Sequence, residues 1–143
     1  MTFFRHFSSK SDVLLDDPFD PLVAAAVARE PLELDPMTRV VRGVRATWRT
    51  IPARGGQQIK KRVLIAAKTP TLRAAMWQNT ERTQGVIVEQ LVDDGVDRLA
   101  AEVAVAAVLA GITAALLQWA RSEHEDLESV MQTAFGVLIA SHG

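Results

Sequence analysis

Met37, Val41, Val44, Trp48 and Ile51 follow one another at offsets of four, three, four and three, so a helix carries all five on one face. Asp35-Pro36 supplies its start signal, a capping carboxylate and a Pro at the first helical position. Pro52 and Gly55-Gly56 end it in a loop. Asp20-Pro21 is a weaker copy of the same signal and opens a short helix over 22–30 that Pro31 closes. Downstream, helix is expected over 57–68, with Thr69-Pro70 as a break and a new start. The next helix runs through Leu72, Ala75, Met76, Asn79, Val86, Val88 and Leu91, with a bend allowed at Gly85. Asp93-Asp94-Gly95 reads as a turn, Asp97 caps a helix reaching about Arg121, and a last helix covers 125–140. No alternating pattern suggests a strand. Seven or eight helices with short connections specify an all-α antiparallel bundle.

The longest apolar run, residues 103–117, is broken only by Thr113. It is rich in Ala and shorter than the roughly 20 residues of a membrane span, which suits a buried bundle helix. With 48% hydrophobic and 23% charged residues, the 143-residue chain has the composition of a folded domain. Cys is absent, which excludes disulfides, thiolate catalysis and Cys-based metal sites. A formal net charge of −1 makes the whole chain a poor general nucleic-acid binder. Its polar N-terminus does not read as a signal peptide, so a cytoplasmic protein is expected.

Charge is segregated along the sequence. No acid occurs between Asp35 and Glu81, yet Arg39, Arg42, Arg45, Arg49, Arg54, Lys60, Lys61, Arg62, Lys68 and Arg73 all do. Solvated helix faces opposite acidic neighbours account for such a stretch; an anionic ligand or nearby DNA phosphates are the alternatives.

The segment Thr2-Phe3-Phe4-Arg5-His6-Phe7-Ser8-Ser9-Lys10-Ser11-Asp12-Val13-Leu14-Leu15 joins a short aromatic helical piece to a second helix start, with Ser9 and Asp12 as a weakened capping box. It resembles the end of the DNA-binding domain of TetR-type transcriptional regulators. In that family a three-helix domain with a helix-turn-helix precedes a larger all-helical ligand-binding and dimerisation domain. The resemblance implies that residues 1–15 are a remnant of the first domain and that residues 16–143 are the second. The first helix, the second helix and the beginning of the recognition helix have no counterpart here, so this chain is not expected to hold an operator by itself. In an intact regulator the resemblance places Phe4 and His6 at the DNA backbone, Lys10 on a phosphate and Thr2 nearer the base edges. Phe4 stands where the family usually has Tyr, which leaves packing without the hydroxyl hydrogen bond.

Met37, Val41, Val44, Trp48, Met76 and Trp77 offer large apolar surfaces, and Asn79, Thr83 and Gln78 offer polar points. Together they form a candidate pocket for a small, partly apolar effector, although such a stripe also suits plain core. Ala100, Ala104, Ala107, Gly111, Ala114 and Ala115 lack bulk, and Val108, Leu116, Trp119, Val130, Phe135 and Leu138 surround them with apolar area. The family pairs through its last two long helices. The expected homodimer interface is therefore Ala104, Ala107, Val108, Gly111, Ala115, Trp119, Val130, Phe135 and Leu138.

No catalytic motif is present, and neither cofactor nor metal is expected. His124 with Glu123, Glu125 and Asp126 reads as a solvated acidic helix start. The resemblance thus implies a regulator in which effector and operator DNA are linked through two spacings of the DNA-binding heads. Repression is the commoner mode in the family. A helical dimeric module that binds only protein partners is the rival, distinguished by a packed interior without a cavity.

Overall fold

The computed structural model describes residues 19–50, 56–123 and 126–140, and the side chains of Phe19 and of residues 56–59 are outside the description. Thr2, Phe4, His6 and Lys10, and the His124 cluster in part, therefore lie outside the described residues. Among the described residues six helices follow one another: α1 (Phe19–Arg29), α2 (Pro36–Thr50), α3 (Gly56–Lys68), α4 (Pro70–Asp93), α5 (Arg98–Arg121) and α6 (Leu127–Ala140). No strand occurs among the described residues, and the fold is all-α.

Several helix ends follow from short-range chemistry. Asp35 accepts from the backbone N–H of Thr38 at 2.9 Å and from its hydroxyl at 2.7 Å, satisfying donors at the start of α2. Asp97 does the same for α5 through the Ala100 N–H at 3.2 Å, and Asp126 for α6 through the Ser129 N–H at 3.2 Å. Between α4 and α5, Val96 N–H bonds the Leu91 carbonyl and Gly95 N–H bonds the Val92 carbonyl, both at 2.9 Å. That pair of bonds is a Schellman ending, which needs a left-handed residue, and Gly95 takes it with φ 98°. α4 runs through Gly85 without interruption.

Asp20 departs from its expected role. It lies inside the first turn of α1 rather than before it, and its buried carboxylate accepts the Thr83 hydroxyl of α4 at 2.5 Å. A tertiary partner has taken the group that local sequence assigned to a cap.

α1 packs on α2 and α4, and α3 packs on α4 and α5. α5 lies at the centre, against α2, α3, α4 and α6, while α6 also reaches α2. The core joins Val23 and Val27 of α1 to Val40, Val41 and Val44 of α2. Ile87, Val88 and Leu91 of α4, Ala101, Val105 and Val108 of α5, and Met131 and Phe135 of α6 complete it. Each fully buried side chain of this size contributes about 1.5–3 kcal/mol. By length and composition alone α5 is able to cross a membrane, longer than the apolar run within it suggested. It packs against four other helices, with 22% of its apolar window buried inside the bundle.

At the α1–α2 crossing the backbones nearly touch. A Cβ on Gly43 would lie 2.4 Å from Val27 Cγ2 and 3.0 Å from the Val27 backbone nitrogen. Arg39, Gly43 and Thr47, spaced by four, form a buried line along this face of α2.

Candidate functional site

The apolar stripe of α2 is divided between two environments. Val41 and Val44 are sealed in the core, whereas Met37 and Trp48 pack on its edge. Trp48 Nε1 donates to Glu128 Oε2 of α6 at 3.4 Å, so its ring leans toward the last helix. On α4, Met76 and Asn79 are half-buried, Trp77 is 69% exposed, and Thr83 is buried in its bond to Asp20. The main neighbours of α2 are α1, α5 and α6; those of α4 are α1, α3 and α5. The two helices share α1 and α5 as neighbours, and both send side chains into the one core.

One region is packed loosely. From Lys60 to Asn79 the only buried residue is Ala66. Val63, Leu64, Leu72 and Met76 are half-buried, and Ile65 and Trp77 are exposed. Among the described residues, α3 and the first half of α4 therefore form a lobe whose apolar side chains are only partly covered, while α4 enters the core from Thr83 onward.

Open grooves border α5 on two sides among the described residues. One, of about 580 Å³, lies between α3 and the end of α5 and is lined by Lys60, Leu64, Lys68, Ala120, Arg121 and Glu123 among others. Lys60 Nζ donates to the Ser122 carbonyl and sits 5.6 Å from the centre of the Trp119 ring. Lys68 and Arg121 are the last residues of α3 and α5. These cations lie at the negative ends of two helices, where such charges are favourable.

The second groove, of about 690 Å³, runs between α5 and α6. Its lining includes Ala114, Gln118, Thr133, Ala134 and Val137. Gly111, Ala115, Val130 and Leu138, four of the expected dimer residues, also line it. Ala107 is half-buried and lies elsewhere on α5. Ala104, Val108, Trp119 and Phe135 are different: all four are buried within their own chain and present no surface to a second one. Gly111 serves the chain's own packing as well, since a Cβ there would meet Leu138 Cδ2 at 3.2 Å. What remains open is an adjacent strip, with Ala114, Gln118, Ser129, Thr133 and Val137 exposed.

Sequence reasoning missed the most deeply buried charge. Arg39 is 1% exposed; its Nη2 donates to Asp94 Oδ2 at 2.6 Å and to the Val27 carbonyl at 3.0 Å. Gln90 Nε2 supports the other Asp94 oxygen at 3.2 Å. The four-residue spacing of Arg39, Gly43 and Thr47 was the available signal, because small residues in register with a charge mark where a second helix approaches. Arg42 pairs with Glu30 at 3.7 Å and Arg98 with Glu89 at 3.0 Å, both near the surface. Arg39 and Arg42 thus meet acids outside the acid-free stretch, in line with the opposing-neighbour reading.

The family model described as the MftR C-terminal domain, a TetR-type C-terminal domain, matches residues 34–143. That span takes in α2 to α6. No curated protein and no solved structure matches the chain. The chain belongs to the TetR family of regulators, of which it carries the C-terminal domain.

Proposed function

We propose that this chain is the effector-sensing and dimerisation part of a TetR-like regulator, and that it works in the cytoplasm. The observation that carries the sensing role is the loose lobe of α3 and the first half of α4, where Leu72, Met76 and Trp77 leave apolar area to be covered. A small, partly apolar effector settling there would bury that area and shift α4 against the core. Among the pocket residues named from sequence, Met76, Trp77, Gln78 and Asn79 belong to this lobe. Val41, Val44 and the Asp20-bonded Thr83 are buried, and Met37 and Trp48 pack on the edge of the core, Trp48 beside Glu128 of α6.

Homodimerisation is assigned to the α5–α6 face, centred on the groove of Ala114, Ala115, Val130, Thr133 and Val137. Two such faces related by a two-fold axis make a four-helix contact, and small side chains let the helices approach closely. Operator binding, through a segment such as Thr2, Phe4, His6 and Lys10, belongs to a chain that includes the helix-turn-helix, and the dimer would set the spacing of its two heads.

The lobe is tested with the probe 8-anilinonaphthalene-1-sulfonate. The expected result is a fluorescence gain that Met76→Glu and Leu72→Glu reduce strongly while the helical circular dichroism is unchanged. A gain indifferent to both substitutions would contradict the assignment.

A further inference from the structure

α1 is the described helix that follows directly on residues 1–18, and both of its ends are tied to α4 or its turn. Near its start, Asp20 accepts the Thr83 hydroxyl at 2.5 Å. Near its end, the Val27 carbonyl accepts from Arg39, which simultaneously holds Asp94 at the close of α4. Along α1 the two points are seven residues apart, roughly 10 Å; along α4 and its cap they are eleven apart, roughly 16 Å. A single attachment lets a helix pivot, whereas two separated attachments fix its direction.

Arg39 is the more consequential tie. It is the largest side chain among the fully buried ones, and its Nε is buried with no partner among the described residues. A guanidinium so placed forgoes hydration and part of its hydrogen bonding, and two bonds made by one nitrogen hold it there. Both bonds reach outside its own helix. The Gly43 contact with the Val27 backbone closes the same corner sterically.

We infer that Arg39 is a positioning residue, a latch that locks the C-terminal end of α1 to the α4–α5 turn so that α1 moves with α4 rather than independently. The inference rests on the regulator reading for its use, because α1 then transmits the state of the α3–α4 lobe toward the N-terminal segment. The latch itself is a property of the chain without effector, and it can fail or hold independently of that reading.

The test is amide hydrogen exchange on the 143-residue chain carrying Arg39→Met or Asp94→Asn, with Arg39→Lys as the conservative variant. From the size of charge-assisted hydrogen bonds, exchange over 23–29 is expected to accelerate on the order of tenfold to a hundredfold in Arg39→Met. Amides in the middle of α5 and α6 should keep wild-type rates. Asp94→Asn should give the same pattern more weakly, and Arg39→Lys should fall between wild type and Arg39→Met. Equal acceleration in every helix would show a merely structural residue and overturn the inference, as would unchanged exchange in α1. If Arg39→Met does not fold, Asp94→Asn decides by the same two criteria.

Discussion

Replacing glycine by alanine inside a helix normally stabilises it, by about 0.5–1 kcal/mol, because the unfolded chain loses freedom. Two glycines of this protein should respond with opposite signs. At Gly85 a Cβ meets nothing within 4 Å, so Gly85→Ala should yield the full gain of about 0.5–1 kcal/mol. At Gly43 the same Cβ falls 2.4 Å from Val27 Cγ2 and 3.0 and 3.1 Å from the Val27 backbone nitrogen and Cα. The methyl group of Val27 can turn aside, but the backbone moves only if α1 moves, and Val27 is fully buried. Overpacking of this kind costs about 1–3 kcal/mol, which exceeds the propensity gain. The net expectation for Gly43→Ala is a loss of about 1–2 kcal/mol. Urea unfolding followed by circular dichroism measures both, at one protein concentration so that assembly does not shift the midpoint. A stabilised Gly43→Ala protein would refute the close approach of α1 and α2, and with it the geometry around Arg39.

Three further substitutions test other parts of the structure. Val137→Glu places a charge on the exposed α5–α6 strip, where Val137 is 61% exposed in the single chain; sedimentation should show dimerisation weakened by about a hundredfold or more, with the helices intact. Thr83→Val preserves shape but leaves the buried Asp20 carboxylate without its hydroxyl donor. It should cost about 1–3 kcal/mol in urea unfolding. Asp97→Ala removes the side-chain cap on the Ala100 N–H and should cost about 1 kcal/mol, read as a fall in thermal midpoint.

The helices were legible in the sequence because their ends are set locally. Asp35-Pro36, Asp97 and the Asp94-Gly95 turn act on neighbours within a few residues, and each stands close to where the pattern placed it. Asp20 was misread for the complementary reason: its partner Thr83 is 63 residues away, and no local pattern reports it. Faces were harder than ends. α5 is apolar nearly all round, so Leu99 and Val103 outside look like Val105 and Val108 inside, and periodicity cannot orient them. The interface expected from sequence therefore drew on both sides of the helix pair, since Ala104, Val108, Trp119 and Phe135 are buried within the single chain while Val137 is exposed. On α2 the Met-Val-Trp stripe drew attention to a pocket, while the line through Arg39, Gly43 and Thr47 carried the tertiary contact. The loose lobe escaped notice because looseness depends on how few of the described residues cover Met76 and Trp77, and spatial cover leaves no trace in composition.

The proposed regulator requires two copies to meet at the α5–α6 face. Sedimentation equilibrium of the wild-type chain, whose mass is 15.6 kDa, measures this directly. The expected result is a species of twice that mass at micromolar concentration, converted to the single-chain mass by Val137→Glu. A wild-type protein that stays at the single-chain mass up to high concentration, or a dimer indifferent to Val137→Glu, would contradict it.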